Sequence, residues 1–341
     1  MERELRFLDG SALNCYPLKF FPVYKDYIWG GRNLELLGRR LPAGKVAESW
    51  EVSGHPDGVS IIANGEYRGM TLPEFLRRFG SRAAGRACSQ AYAGDFPLLV
   101  KLIDAEQRLS VQVHPDDEYA ALYERGQRGK NEMWYIISAA PGAQIVYGLR
   151  PGITREKLAR AIEEERVEDC LRTIGVQAGD VIDIPPGTVH ALGAGIVLAE
   201  IQQSSNLTYR IYDYGRRDAR GNLRPLHIEQ ALKVIDFSFS STAPVFSREE
   251  AVPAPGAAEE TVERLASNRY FTVEKLRFAG ERVEKADGER FFIYMNLRGR
   301  GTLRFEGGAL PLGPAESFFI PASLGVYSLT GPLEMLRIYL S

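Results

Sequence analysis

In Ser110-Val-Gln-Val-His114, polar and apolar residues alternate. On a strand this puts Ser110, Gln112 and His114 on one face and Val111 and Val113 on the other. A strand face carrying hydroxyl, amide and imidazole suits the floor of a polar pocket better than a core. The flanking chain is dominated by short apolar runs punctuated by Gly and Pro. Residues 17–70 read as strands and turns at hairpin spacing. Thr71, with Glu74 three residues on and a proline in the first turn, predicts a helix start. Residues 96–103 form an apolar run of strand length broken by Lys101. A helical turn over 116–124 and a Gly-rich loop over 125–131 precede strands at 132–137 and 143–147. Helical apolar spacing over 154–174 predicts an amphipathic excursion. Strands resume at 180–184, 196–203 and 208–213, and a helix starts at His227. Residues 240–262, rich in Ser, Ala, Pro and Glu, read as a linker. Beyond it, short strands near 270, 291, 301, 317 and 335 predict a small β-sandwich or jelly roll. The expected organisation is all-β with helical insertions: a first domain over 1–239, a linker over 240–262 and a second β domain over 263–341.

At 341 residues the chain is long enough for two domains, and 45% apolar against 25% charged residues fits a globular core. A formal charge of −2 with no basic run argues against nucleic acid or a membrane surface as partner. The charged first residues lack an apolar stretch after them, and no run has spanning length, so a cytoplasmic protein is expected. Cys15, Cys88 and Cys170 are odd in number and far apart. They fit a reducing compartment and offer neither a disulfide frame nor a zinc-thiolate site. Only four histidines are present, His55, His114, His190 and His227. His55 and His227 fall in a turn and at a helix start and read as structural, and Trp29 and Trp50 read as core aromatics.

Gly179-x5-Pro185-x-Gly187-x2-His190 is the second cupin motif apart from its closing Asn, where Gly193 or Ala194 falls. A turn leads into a strand, Pro-Pro-Gly turns out of it, and a histidine is presented from the next strand. In the first cupin motif Gln112-Val-His114 replaces His-x-His, with Glu132 on the following strand. Two imidazoles and a carboxylate suit a borderline divalent ion, zinc first, while Gln112 is a weak neutral ligand. A faint repeat pairs Ile184-Pro-Pro-Gly-Thr-Val-His-Ala-Leu192 with Ile320-Pro-Ala-Ser-Leu-Gly-Val-Tyr-Ser-Leu329. The second copy has no histidine, which points to a metal-free, structural second barrel.

Several further segments, taken together, resemble the type I phosphomannose isomerase family in its short bacterial form. They include Tyr27-Ile-Trp-Gly-Gly31, Ala47-Glu-Ser-Trp-Glu51, Pro97-Leu-Leu-Val-Lys-Leu-Ile-Asp-Ala105, Gly129-Lys-Asn-Glu-Met-Trp-Tyr135, Glu200-Ile-Gln-Gln-Ser-Ser205 and Thr208-Tyr-Arg-Ile-Tyr-Asp-Tyr214. The resemblance covers roughly residues 17–235 and is weaker beyond. It implies a cupin catalytic domain with a second cupin-like domain and one Zn²⁺ per chain, held by Gln112, His114, Glu132 and His190. It further implies Arg210 as the catalytic arginine, with Glu200, Lys130, Lys101 and Ser110 around the pocket. The implied reaction interconverts mannose 6-phosphate and fructose 6-phosphate in a monomer or homodimer.

Such an isomerisation moves a proton between C1 and C2 through an enediol, and Glu200, Lys130 or a metal-bound hydroxide could carry it. A phosphorylated substrate needs cations, for which Lys101, Lys130 and the Arg125/Arg128 loop are candidates, with Ser110 as a further phosphate contact. The other readings open at this level are an isomerase of another sugar or sugar phosphate, an Fe(II) cupin dioxygenase, and a non-catalytic sugar-binding cupin.

Overall fold

The computed structural model describes residues 15–217, 220–239 and 260–341. Its described residues fall into two compact units that are not contiguous in sequence: residues 22–60 with 97–217 and 220–239, and residues 15–21 with 61–96 and 260–341.

The first of these units holds two antiparallel sheets. The six-stranded sheet runs Val181–Ile184, Glu132–Ala139, Ile196–Gln203, Leu98–Ala105, Glu48–Ser53, Val23–Lys25. The five-stranded sheet runs Tyr209–Tyr212, Val111–Val113, His190–Leu192, Gln144–Leu149, Leu171–Gly175. Ile103, Trp134, Ile182 and Leu198 of the larger sheet pack with Ile145, Tyr147 and Leu192 of the smaller, so the two sheets face each other over one core. The outer face of the smaller sheet is apolar as well. Val111, Val113, Ala191 and Ile211 pack there with Leu158 and Ala161 of helix Arg155–Glu163 and with Ala231 of helix Ile228–Val234. Val111 and Val113 are therefore fully buried behind the sheet. The period-2 alternation then commits Ser110, Gln112 and His114 to the interior face.

The second unit repeats the architecture with a seven-stranded and a four-stranded antiparallel sheet. Leu276, Phe318, Leu329 and Met335 are among its fully buried core residues. Here the structure departs from the expected contiguous 1–239 domain. Strand Leu18–Phe21 pairs with Ser317–Ile320 on one side and Ile61–Ile62 on the other. Helix Leu72–Phe79 opens with the expected capping box between Thr71 and Glu74. A helix the sequence pattern did not show, Ser81–Tyr92, follows it. Its backbone is tied into the unit by Arg86 N to Gly288 O, 3.1 Å, and by Ala322 N to Ala83 O, 3.0 Å. Unpaired strand edges attract pairing partners, and these N-terminal segments supply one. The expected linker lies outside the described residues except for 260–262, where Thr261 already begins strand Thr261–Ser267.

The helical expectation over 154–174 also needs correction. The helix stops at Glu163, a short 3-10 turn spans Val167–Cys170, and Leu171–Gly175 is an edge strand. Thr173 and Ile174 are β-branched and suit the strand. Leu171 is drawn into the apolar cluster behind the sheet, so its helical spacing carries no helix.

Candidate active site

A row of side chains crosses the larger sheet in register: Trp50 opposite Lys101, Lys101 opposite Glu200, Glu200 opposite Trp134. Lys101 Nζ lies 2.8 Å from Glu200 Oε2 and 3.6 Å from Glu48 Oε2. Trp134 Nε1 donates to Glu200 Oε1 at 3.1 Å, and Trp50 Nε1 donates to Glu48 Oε2 at 2.6 Å. Burial opposes the charge on Lys101, but Glu200 and then Glu48 hold its ammonium above its ordinary range. The broken apolar run of 96–103 thus carries a buried ion pair rather than a lysine reaching out to water.

On the smaller sheet Gln112 pairs with His190 on one side and Arg210 on the other. His114, Glu132 and His190 converge, with one ligand atom from each lying within 4.8 Å of the others. Glu132 Oε1 is 3.2 Å from His190 Nε2, and Oε2 is 3.7 Å from His114 Nε2. His114 Nδ1 donates to Leu207 O at 2.7 Å and His190 Nδ1 to Thr188 O at 2.9 Å. These backbone acceptors fix the neutral tautomer with the Nε2 lone pairs turned inward. Burial, and next the Lys130 ammonium, depress His114 well below the ordinary histidine range. For Glu132, burial alone would raise the carboxyl. The Lys130 ammonium, 2.7 Å from Oε2, is the largest opposing influence, and the group is held well below its ordinary range.

These residues fit a divalent ion. Both Glu132 oxygens are fully buried without a well-formed hydrogen bond, although Lys130 Nζ stands 2.7 Å from Oε2. Ligand atoms about 2.1 Å from a tetrahedral zinc are about 3.4 Å apart, which the 3.2 and 3.7 Å separations bracket. Gln112 is placed to be the fourth donor: its amide lies 3.3 Å from His190 Nε2, and a half-turn puts Oε1 where Nε2 now is.

In front of this group opens a cavity of about 280 Å³. Lys101, Lys130, Ser110, Gln112, Glu200 and Arg210 all line it, and the His–Glu–His group lies behind Gln112 and Lys130. Its apolar wall is Trp29, Ile103, Leu109 and Leu192. Trp29 is therefore both core and pocket wall, whereas Trp50 is wholly buried and does not line the cavity. Arg210 Nε donates to Ser110 Oγ at 3.2 Å and Nη1 to Pro225 O at 2.8 Å. Burial first, and the neighbouring positive charge of Arg224 second, lower its hold on its proton.

The Arg125/Arg128 loop does not line the cavity. Arg125 is exposed on a left-handed turn, and Arg128 O is tied to Ser205 Oγ at 2.9 Å. The cations that do line it beyond Lys101 and Lys130 are Arg210 and Arg224. Sequence reasoning also passed over Glu48, Asn206 and Thr208. Glu48 had a signal, a carboxylate in a strand, Glu48–Ser53, whose every residue is buried. Arg224 had none, since it follows a turn and lies in no periodic pattern.

Two family descriptions match the chain: "Phosphomannose isomerase type I, catalytic domain" over residues 18–134 and "Mannose-6-phosphate isomerase, cupin domain" over residues 261–340. The mannose-6-phosphate isomerase ManA of Bacillus subtilis (strain 168) is 36% identical over 328 residues, covering 95% of this chain and 99% of that protein. A crystal structure of the mannose 6-phosphate isomerase from Bacillus subtilis superposes with a TM-score of 0.81 at 33% identity, covering 94% of this chain and 99% of that one. A zinc-bound mannose 6-phosphate isomerase shares the fold at 17% identity, with a TM-score of 0.76 over 95% of this chain and 99% of that one. With its paired cupin architecture and these full-length likenesses, the chain belongs to the type I phosphomannose isomerase family.

Proposed function

We propose that the chain interconverts D-mannose 6-phosphate and D-fructose 6-phosphate through an enediol, with zinc held by His114, Glu132, His190 and Gln112. The observation that carries this reading is the placement of a buried His–Glu–His group behind a polar cavity lined by Glu200, Lys130 and Arg210. When bound, the ion supplies Lewis acidity toward the oxygens on C1 and C2.

The remaining chemistry belongs to the side chains. Arg210 is permanently charged and half-buried at the cavity wall, so it can support negative charge that develops on a substrate oxygen. Glu200 and Lys130 both face the cavity and are the two side chains able to move the proton between C1 and C2. Trp134 and Lys101 fix the Glu200 carboxylate, so that its position does not depend on substrate. Lys101, Lys130 and Ser110 bind substrate, and the apolar wall excludes water from the reacting carbons.

The test is a coupled assay with mannose 6-phosphate on protein stripped with chelator and then restored with zinc. Turnover that disappears on stripping and returns with zinc is expected. A rate at background after zinc is restored would overturn the reading. So would stoichiometric iron in the purified protein together with O₂ uptake.

A further inference from the structure

Four cations line the cavity, Lys101, Lys130, Arg210 and Arg224, against two carboxylates, Glu48 and Glu200. Their pairing is uneven. Lys101 is matched by Glu200 and Glu48, and Lys130 by Glu132. Among the described residues, Arg210 has no carboxylate within 4.0 Å; its guanidinium meets only Ser110 Oγ and Pro225 O. Arg224 is held from one side by Asp213, with Nε donating to Oδ2 at 2.7 Å and Nη2 to Oδ1. That grip occupies two of its three nitrogens and leaves Nη1 without an acceptor among the described residues. Asp213 is itself buried and also bonded by Arg216. It is thus a fixed anchor for Arg224.

Position matters as much as charge. Across the smaller sheet His190, Gln112 and Arg210 follow one another on neighbouring strands, leading away from the His–Glu–His group. Arg224 lines the same cavity as a charged neighbour of Arg210, on the chain segment that follows this last strand. A substrate whose C1 and C2 face the metal group would carry its far end toward Arg224. Asp213 already compensates Arg224, whereas Arg210 has no carboxylate partner among the described residues, so an anion between the two guanidiniums would meet Arg210 and the free edge of Arg224 together.

We propose that Arg224, oriented by Asp213, is the residue that receives the substrate's phosphoryl group and makes the site select a phosphorylated aldose over the free sugar. The proposal rests on the isomerase reading above. Arg224 presents its free Nη1 to phosphate oxygens, Ser110 Oγ lies on the same wall beside Arg210, and Arg210 is the lining cation that no carboxylate among the described residues matches. Asp213 is a positioning residue, since both of its oxygens are already engaged.

The test compares zinc-loaded wild type with Arg224→Gln and Arg224→Lys. In Arg224→Gln the ratio of kcat/KM for mannose 6-phosphate to that for mannose should fall by about tenfold to a hundredfold, the loss expected for a charge-assisted hydrogen bond. Most of that loss should come from KM. Arg224→Lys should recover part of it, because charge returns without the planar fork. Calorimetric titration with inorganic phosphate should show weaker binding to Arg224→Gln than to wild type. An unchanged specificity ratio and unchanged phosphate affinity in a folded Arg224→Gln would overturn the proposal. If instead wild type fails to isomerise mannose 6-phosphate, the isomerase reading falls, and the phosphate titration still judges Arg224.

Discussion

His227 holds the peptide of Arg210 from both sides. Its Nδ1 accepts from Arg210 N at 3.2 Å, and its own backbone N–H donates to Arg210 O at 2.8 Å. Nδ1 can accept only while the ring is neutral. Burial, and then the positive charge of Arg210, lower its affinity for a proton, while Glu124 acts in the opposite sense. His227→Ala is therefore expected to lower kcat by about tenfold, equivalent to ~1.4 kcal/mol, while zinc content by metal analysis stays at wild type. Metal lost in parallel with activity would contradict the positioning role. The pH dependence follows from the same shift. The folded chain binds the His227 proton less readily than the unfolded chain, whose imidazole titrates near 6.5. The contribution of this group to stability is thus present above that pH and is lost as pH falls below it and through the lower value of the folded chain. His227→Gln, which keeps an acceptor and removes the titration, should flatten the acid-side decline in the urea midpoint. At this scale the sequence was informative where alternation fixed a face: Ser110, Gln112 and His114 point inward because Val111 and Val113 are buried behind them. It read His227 only as structural at a helix start and was silent on Arg224; the roles of both come from contacts made across the fold.

The elements show the same division. Strands with period-2 alternation or unbroken apolar runs were legible, as was the capped helix at Thr71. Helix Ser81–Tyr92 was not, because its buried residues, Ala83, Ala84 and Cys88, are small and its interior holds a glycine. That glycine has a structural reason. Gly85 sits at φ 85° and ψ 161°, and a Cβ there would lie 2.5 Å from Glu289 O. Only glycine accommodates both the backbone region and the approach. Gly85→Ala should cost about 1–3 kcal/mol in stability, read from urea denaturation of the purified protein. A midpoint equal to wild type would show that the kink relaxes freely. The misread segment over 154–174 teaches the converse. Apolar spacing at Leu158, Ile162 and Leu171 reflects three contacts with one cluster, made by a helix and a strand rather than by one long helix.

On the scale of the whole molecule, the faint repeat has a chemical outcome. In the unit with the His–Glu–His group Glu132 pairs with Ile184, and His190 follows on the next strand. In the second unit Phe292 pairs with Ile320 in the same way, and Tyr327 takes the place of the histidine. Tyr327 is buried with its hydroxyl 2.8 Å from that of Tyr294, in a core of Phe318, Leu329 and Met335. One barrel thus keeps buried carboxylate and imidazole where the other keeps aromatic rings. Their dependence on a cation should differ accordingly. An ion bound only by the folded form stabilises it by RT ln(1 + [L]/Kd), about 4 kcal/mol at a thousandfold excess over Kd. In its absence the buried Glu132 carboxylate is left with Lys130 as its cationic partner. Stripping zinc should therefore speed amide exchange in strands Val111–Val113, Glu132–Ala139 and His190–Leu192. Strands Phe292–Gly299 and Leu333–Tyr339, which contribute to a core of apolar side chains, should keep their wild-type protection. Equal deprotection of both sets on chelation would mean that the second unit also depends on the metal, and that the repeat has not divided the labour as its residues indicate.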